Sequence, residues 1–297
     1  MIATFFIALF TGLAVGLHSA TWGMFKDAPH EGFTWQTYLR SPVIASFIAV
    51  LVAFGFGLDV RSAAGLAVLF GATYGLERAV LEIYKTFLRE EDQSKYAIPM
   101  QLAVFGRPVR SRGARLLVGV GYLTLGLLVL AGAYWLQDHP DVMPRYLAVG
   151  LVGSAGGWIS AFGGAWKDAP VEGFSIFKFF RSPFITLCYG LFMAALTPDY
   201  GLIFLGAIGY TVATIETYKT FFFPNEYRGK FTGKPRTHPE YVESRYHFVP
   251  LYVLIWLGMI TAGIAALTGP RHGALFGDEA AVPAVETARN PRPAPGV

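Results

Sequence analysis

Residues 248–268 read FVPLYVLIWLGMITAGIAALT, a run of 21 residues that contains no charged side chain. A membrane-spanning helix needs about 20 mostly apolar residues, because it must cross about 30 Å of hydrocarbon at 1.5 Å per residue. The run is apolar throughout rather than along one stripe, which favours a helix in lipid over a surface helix of a soluble protein. This segment therefore predicts a transmembrane helix.

Seven earlier runs have the same character. The eight candidate spans are approximately 2–24, 42–58, 63–86, 115–136, 146–166, 183–198, 200–222 and 248–268. Over the whole chain 54% of the residues are apolar and 15% are charged, against about 25% charged in ordinary soluble proteins. The sequence thus predicts an all-α, polytopic membrane helix bundle, and its single cysteine, Cys188, excludes a disulfide scaffold.

The basic residues divide unevenly between the two sides of such a bundle. Of the 24 Lys and Arg residues, 18 lie in four connections on one side, around 26–41, 85–115, 167–181 and 219–247. Because positively charged loops stay in the cytoplasm, we expect that side to be cytoplasmic and both termini to lie outside, in a bacterial-type cytoplasmic (inner) membrane. The net charge of +4 then reflects orientation, and nothing in the chain indicates a nucleic-acid-binding module.

The chain contains a duplication. Residues 26–42 read KDAPHEGFTWQTYLRSP and residues 167–183 read KDAPVEGFSIFKFFRSP, with ten of 17 positions identical. A second pair follows in the same order, EIYKTF at 82–87 and ETYKTF at 216–221. An even number of spans per copy gives both copies the same orientation. The sequence therefore predicts two parallel four-helix repeats. The predicted divisions of the chain are 1–137, 138–268 and a disordered C-terminal tail at 269–297 that is rich in Pro, Ala and Gly.

The longer repeated stretch, residues 26–42 and 167–183, is called the long motif, and each copy ends in Arg-Ser-Pro, at 40–42 and at 181–183. Ser is a good N-cap and Pro fits the first helical turn, so we expect each Ser-Pro pair to begin a span. Spans two and six would then be short, at 43–58 and 184–197, and matching short segments in two repeats are typical of a binding region. With an arginine beside it, each helix N-terminus would bind an anion such as phosphate. The alternative is that the Arg-Ser-Pro belongs to a longer helix whose arginine reaches the membrane surface.

The first part of each motif, KDAP-x-EG, occupies 26–32 and 167–173. We expect its Asp to cap a short turn that the Pro begins, and its Gly to allow a bend. An aromatic-lined turn at the membrane surface accounts for the aromatic residues that follow. It does not explain why the Lys-Asp and Glu-Gly pairs occur in both copies. These pairs have two interpretations, a structural ion pair and a ligand site.

Glu82 and Lys85 are three residues apart near the end of span three, so they share one face of a helix. Glu216 and Lys219 repeat this spacing in span seven. A glutamate inside a span is unfavourable unless it is paired, and Arg78 can also reach Glu82, whereas the second copy has a valine there. We therefore predict one polar cluster in each half. The predicted ligand-binding residues are Lys26, Asp27, Glu31, Arg40, Ser41, Glu82, Lys85, Lys167, Asp168, Glu172, Arg181, Ser182, Glu216 and Lys219.

Residues 156–177, GGWISAFGGAWKDAPVEGFSIF, resemble a motif of membrane lipid kinases of the dolichol and phytol kinase type. In that family a glycine-rich stretch, a lysine and a Glu-Gly pair also occur together near the cytoplasmic face. The duplication departs from the single copy expected there, and no residue role is transferred. The resemblance implies that a phosphate-handling enzyme belongs among the candidate functions.

Three functions are compatible with the sequence. The first is a site for an anionic, phosphate-bearing lipid or metabolite, in which Asp27, Glu31 and Glu82 would hold Mg²⁺ if the protein were a lipid-phosphate transferase. The second is a parallel-repeat transporter, and the third is a non-catalytic subunit of a membrane complex. The expected partners are membrane lipids and an anionic small molecule or head group, and the sequence names no cofactor. His18, with no ligand-spaced partner, is expected to be a hydrogen-bonded core or lipid-edge residue.

Overall fold

The computed structural model describes residues 1–226, 229–269 and 273–276, and these residues form a bundle of helices. The helices are α1 (Ile2–Glu31), α2 (Trp35–Gly55), α3 (Ala63–Ile83), α4 (Arg112–Asp138), α5 (Arg145–Glu172), α6 (Ile176–Leu196), α7 (Tyr200–Phe222), α8 (Glu240–Glu243) and α9 (Val249–Thr268). A π-helical turn, Tyr84–Leu88, extends α3. The shorter elements are an antiparallel hairpin of β1 (Ala103–Val104) and β2 (Arg107–Pro108), and two 3₁₀ turns, Gly229–Phe231 and Ser244–Phe248.

Eight helical segments are long and apolar enough to cross a membrane. They are α1, α2, α3 with its π-helical turn, α4, α5, α6, α7 and the segment Glu240–Thr268. Large apolar side chains such as Phe47, Leu127 and Leu254 project outward and are mostly exposed, which is favourable in lipid and not in water. The chain is therefore a multi-pass membrane protein, and the prediction of eight candidate spans is confirmed.

The central pair of helices is α3 and α7, which pack along each other. Glycines bring the two backbones into contact: a Cβ on Gly209 would lie 1.9 Å from the carbonyl oxygen of Gly71. A Cβ on Gly75 would lie 2.3 Å from the carbonyl oxygen of Leu205. Small residues at such positions let helices in lipid gain close van der Waals contact. Beside this pair, α1 packs along α2 and α5 packs along α6, while α4 lies at the edge with most of its side chains exposed.

The two Ser-Pro pairs do not begin helices. α2 begins at Trp35 and α6 begins at Ile176, so each proline lies seven residues after the first residue of its helix. The prediction that Ser-Pro caps spans two and six is therefore wrong. The predicted short spans are wrong as well, because α2 and α6 each contain 21 residues and are about 31 Å long at 1.5 Å per residue. The alternative, that Arg-Ser-Pro belongs to a longer helix, is confirmed.

Close packing between neighbouring helices explains these internal prolines. A Cβ on Gly16 of α1 would lie 2.3 Å from the Cα of Pro42, and a Cβ on Gly157 of α5 would lie 2.6 Å from the Cα of Pro183. Proline lacks an N–H and interrupts one helical hydrogen bond, which a transmembrane helix tolerates when a neighbouring helix packs against the interruption. The Ser-Pro segments therefore serve as contact points between α1 and α2 and between α5 and α6.

The ends of α1 and α5 are alike. Each helix continues through the Asp and the Pro of its motif, so the predicted turns capped by Asp27 and Asp168 do not form. Each then stops at a glycine with a positive φ, 77° at Gly32 and 82° at Gly173. Residues with a Cβ disfavour this conformation, so the predicted bend at each glycine is confirmed and has a physical reason.

The predicted tail at 269–297 lies mostly outside the described residues. The described segment 273–276 contacts the end of α6. The backbone N–H of Ala274 donates to the carbonyl oxygen of Thr197 at 3.1 Å, and that of Leu275 donates to the carbonyl oxygen of Ala194 at 3.0 Å. These two backbone hydrogen bonds hold the described segment against the bundle, and the prediction of disorder for the rest of the tail falls on residues outside the described ranges.

Candidate functional site

The motif residues gather at one end of the bundle, where α1, α3, α5 and α7 terminate; we call it the motif end. On α3, Arg78 Nη2 lies 2.6 Å from Glu82 Oε1, and Lys85 Nζ lies 3.6 Å from the same oxygen. The predicted pairing of Glu82 with Lys85 and Arg78 is therefore confirmed. The side chain of Glu82 is 46% exposed, whereas those of Arg78 and Lys85 are largely buried. Glu82 thus offers a partly exposed carboxylate next to two cations.

A buried polar network continues from Arg78 toward the middle of the bundle. Glu77 is fully buried, and Ser19 of α1 donates to its two carboxylate oxygens at 3.2 and 3.3 Å. Arg78 Nη1 lies 3.9 Å from Glu77 Oε2, and its guanidinium packs 4.8 Å from the ring centre of Trp22. Sequence reasoning did not assign Glu77 to the site, although a Glu-Arg pair inside an apolar span is an indication of function.

His18 lies beside this network and is fully buried. Its Nδ1 is 2.9 Å from the hydroxyl of Tyr74, and its Nε2 is 2.9 Å from the hydroxyl of Thr217. Trp22 Nε1 also donates to the Tyr74 hydroxyl at 2.9 Å. Both ring nitrogens have partners, so the prediction of a hydrogen-bonded core histidine is confirmed.

The shorter repeated stretch, residues 82–87 and 216–221, forms a Glu–Lys ion pair in its second copy as it does in its first. Lys219 Nζ lies 3.4 Å from Glu216 Oε1 on α7. The position that matches Arg78 is Val212, and the position that matches Glu77 is Thr211, so the deeper charged pair of α3 has no counterpart on α7. The two halves therefore share the ion pair at the motif end and differ in the middle of the bundle.

Lysines from both long motifs approach the same carboxylates. Lys26 of α1 and Lys167 of α5 both lie within electrostatic range of Glu82. Lys26, Lys167 and Lys219 all lie within electrostatic range of Asp168. Charges from both copies of the motif therefore act on Glu82 of α3 and on Asp168 of α5. Whether each half forms its own cluster stays a prediction.

The acidic residues of the first long motif are paired with connections that sequence reasoning did not include. Lys230 Nζ lies 3.1 Å from Asp27 Oδ2 and 3.5 Å from Glu31 Oε2, and its side chain is 4% exposed. Lys95 Nζ lies 3.0 Å from Glu31 Oε1 and also pairs with Glu91. Both lysines stand outside any repeated pattern, so no sequence signal pointed to them.

The ion pair of Lys95 affects its partner. Burial opposes ionisation of Glu91, but the hydrogen bond from Lys95 and the charge of Arg89 together hold the pKa of Glu91 below its ordinary value. Burial, followed by the charge of Glu31, raises the pKa of the neighbouring Tyr96 hydroxyl. The connection therefore carries a charged carboxylate and a neutral phenol at neutral pH.

The second long motif is covered by the connection between α3 and α4. Trp166 Nε1 donates to the carbonyl oxygen of Ala103 at 2.9 Å, and Lys167 Nζ lies 3.8 Å from the sulfur of Met100. Glu172 pairs with Lys178 at 3.0 Å and accepts a hydrogen bond from Thr232 at 2.6 Å. Both connections at the motif end therefore hold the motif residues in place.

The arginines of the two Arg-Ser-Pro segments differ from the other basic motif residues. Within the described residues, neither Arg40 nor Arg181 forms an ion pair, and the Nε of each is buried without a hydrogen-bond partner. Arg40 lies within electrostatic range of Asp27 and Glu77, but also of Arg78. Ser41 and Ser182 are buried at the contacts with α1 and α5, so they do not cap a helix end. The arginines, rather than the serines, retain the capacity to bind an anion.

The described residues contain no group of three or more His, Cys, Asp or Glu side chains arranged to hold a metal ion. Comparison with protein families, with curated proteins and with solved structures finds no match for this chain. The fold and the motif end define a multi-pass membrane protein with a cluster of ionisable residues at one end of its helices.

The contact between Lys230 and the first long motif makes a testable contribution to stability. Lys230→Met keeps an apolar side chain of similar length but removes the ammonium group, which faces Asp27 and Glu31 and lies 4.7 Å from the ring centres of Tyr96 and Phe231. We expect a loss of about 2–3 kcal/mol, below the range for a fully buried pair because the carboxylates are partly exposed. Thermal unfolding of the purified protein measures this loss. Lys234→Met is the control, because this half-buried lysine of the same connection pairs with no carboxylate of the described residues, and equal melting temperatures for the two variants would contradict the assignment.

Proposed function

We propose that this protein binds an anionic, phosphate-bearing lipid or metabolite at the motif end, through basic residues supplied by both copies of the duplicated motif. The observation that carries the proposal is that Lys26 and Lys167, one from each motif copy, lie within electrostatic range of Glu82, a partly exposed carboxylate that also pairs with Arg78 and Lys85. Arg40 and Arg181, which form no ion pair within the described part of the chain, add two guanidinium groups. Lysine and arginine are the side chains that bind phosphate most strongly.

The carboxylates have a defined role in this proposal. Glu82 and Asp168 serve as counter-ions that keep the lysines charged and apart when no ligand is present. An arriving phosphate replaces part of that interaction and carries more negative charge than one carboxylate. The site therefore favours ligands with a doubly charged phosphate over monoanions, because the lysines gain attraction only when the incoming charge exceeds the charge already present.

The chain would lie in the membrane with both copies of the long motif on one side. Two parallel four-helix repeats, 1–137 and 138–268, would place both long motifs on the cytoplasmic side of a bacterial-type inner membrane. The matching ends of α1 and α5 at Gly32 and Gly173 support this arrangement, as do the equal lengths of α2 and α6. The equivalent proline contacts at Gly16 and Gly157 support it further.

Binding is tested on the purified full chain in neutral detergent, with inorganic pyrophosphate and phosphatidic acid as separate probes. We expect at least one probe to raise the melting temperature, and we expect Lys26→Gln and Lys167→Gln each to weaken that binding about tenfold, since each removes one charge-assisted contact. Lys234→Gln is the control, because Lys234 lies on a connection and its amino group donates to the carbonyl oxygen of Ser94 at 3.2 Å. Equal binding by all four proteins would overturn the proposal.

Transport is the second candidate function, and the buried pair of Glu77 and Arg78 favours it. Glu77 lies 14 residues after the first residue of α3, about 21 Å along a helix that extends for 26 residues with its π-helical turn. Charged groups near the middle of a membrane commonly line a path for a substrate or an ion. Uptake of the probes into vesicles that contain the protein distinguishes transport from binding alone. If neither probe binds nor enters, the third candidate, a non-catalytic subunit of a membrane complex, is favoured.

A further inference from the structure

A recess separate from the duplicated motifs lies in the connection between α7 and α9. It has a volume of about 450 Å³ and is open to the outside. Arg236, Arg245 and Tyr246 line it, together with Asn225 and Glu243. Among the described lining residues, Arg236 and Arg245 are the two basic ones and Glu243 is the one acidic residue.

Arg245 is the unusual member of this recess. The residue is 7% exposed, yet it forms no ion pair with any described residue. Its Nη1 donates to the carbonyl oxygen of Val242, and its Nη2 donates to the hydroxyl of Tyr246 at 2.7 Å. Its Nε is buried and has no hydrogen-bond partner, although a guanidinium offers five N–H donors in all. Its guanidinium carbon lies 4.3 Å from the ring centre of Tyr246, so a cation–π contact offsets part of the cost of burying the charge, and an approaching anion would offset more of it.

We propose that this recess is a second anion site, distinct from the duplicated motifs, and that it binds a phosphate group through Arg245 and Arg236. The planar guanidinium matches two phosphate oxygens at once, which a lysine cannot do. Arg236 Nη2 donates to the carbonyl oxygen of Asn225 at 2.8 Å, which places it on the wall of the recess. The hydroxyl of Tyr246 supplies a further polar group at the edge.

The phosphate group has two sources of the same chemistry. Tyr246, which lines the recess, lies three residues before the first residue of α9, and the apolar side chains Val249, Val253 and Leu254 along that helix are exposed. A lipid would place its phosphate in the recess and its acyl chains along these residues. A soluble phosphate compound would enter the recess from the aqueous side instead.

Two measurements on the purified full chain distinguish these sources. Native mass spectrometry after addition of phosphatidic acid or phosphatidylcholine counts the lipids that stay bound. Titration with sodium phosphate, followed by thermal unfolding, detects the soluble anion. We expect Arg245→Gln and Arg236→Gln each to weaken one of the two interactions about tenfold. Arg110→Gln, which removes an exposed arginine from the connection between α3 and α4, is expected to bind like the unmodified chain.

The two measurements distinguish a lipid phosphate, a soluble phosphate and no phosphate site in the recess. Weaker retention of phosphatidic acid in both variants supports a lipid phosphate, and weaker stabilisation by sodium phosphate supports a soluble ligand. Unchanged binding of both probes in a folded Arg236→Gln protein overturns the proposal, even if Arg245→Gln fails to fold. Lys26→Gln is expected to retain binding in this recess, so failure of the site at the duplicated motifs and failure of this one are distinguishable.

Discussion

Gly209→Ala is expected to separate the central helices and to destabilise the whole bundle. The added Cβ would lie 1.9 Å from the carbonyl oxygen of Gly71 and 2.8 Å from the backbone nitrogen of Gly75. Both atoms belong to the backbone of α3, so no side-chain rotation can relieve the contact. We expect a loss at or above the upper end of the roughly 1–3 kcal/mol typical of over-packing. Thermal unfolding and the yield of folded protein measure it.

A matched control makes this prediction specific to the helix contact. Gly126 lies on α4, and a Cβ there would meet nothing within 4 Å. Because alanine favours a helix over glycine by roughly 0.5–1 kcal/mol, Gly126→Ala should be neutral or slightly stabilising. If Gly209→Ala were as stable as Gly126→Ala, α3 and α7 could not be packed as described.

Arg78→Met is expected to have the second large effect. It removes the cation that lies 2.6 Å from Glu82 and 3.9 Å from the fully buried Glu77. The hydrogen bond from the Ser19 hydroxyl to the Glu77 carboxylate remains. Removing one partner of a buried ion pair typically costs about 3–5 kcal/mol, because the remaining charge is uncompensated. We expect little folded protein on size-exclusion chromatography, whereas Arg61→Met, at an exposed arginine, should behave like the unmodified chain.

The second half of the molecule suggests how to rescue this loss. Thr211 and Val212 occupy the positions that match Glu77 and Arg78, so an uncharged pair is accommodated there within the same kind of helix. The double variant Glu77→Thr/Arg78→Val is therefore expected to be more stable than Arg78→Met alone. A double variant as unstable as Arg78→Met would show that the loss comes from packing around Trp22 and not from the uncompensated carboxylate.

Hydrophobic runs predicted the helices well, because a span in lipid must be long and apolar whatever its neighbours are. The starts of α2 and α6 were not predictable in this way. A Ser-Pro pair is favourable at a helix start in isolation, whereas here the contact of Gly16 with Pro42 and of Gly157 with Pro183 places it inside a helix. Such a contact joins residues 26 positions apart, and local patterns carry no information about it.

The candidate site was predictable only in its repeated part. The pairs Glu82–Lys85 and Glu216–Lys219 follow from helical spacing and are present. Lys230 pairs with the first long motif across some 200 residues, and it lies in a connection without periodicity or repetition. Partners of this kind depend on how the connections fold over the bundle, which no spacing rule describes.

The meeting of the two motif copies at one end of the bundle is the central feature of the proposed site. In a Cys188→Ser background, Lys26→Cys and Lys167→Cys place one thiol in each copy of the motif. Lys26→Cys with Ser62→Cys is the control pair, because Ser62 caps the first turn of α3, at the end of that helix away from the motif end. A bifunctional thiol reagent that does not cross membranes is added to the protein in sealed vesicles of each orientation, and the intact mass of the chain is measured. We predict that one reagent molecule bridges 26 and 167 within a single chain, only from the cytoplasmic side, while 26 and 62 are never bridged. Single modification of both thiols without a bridge, or reaction of the two thiols from opposite sides of the membrane, would contradict the account.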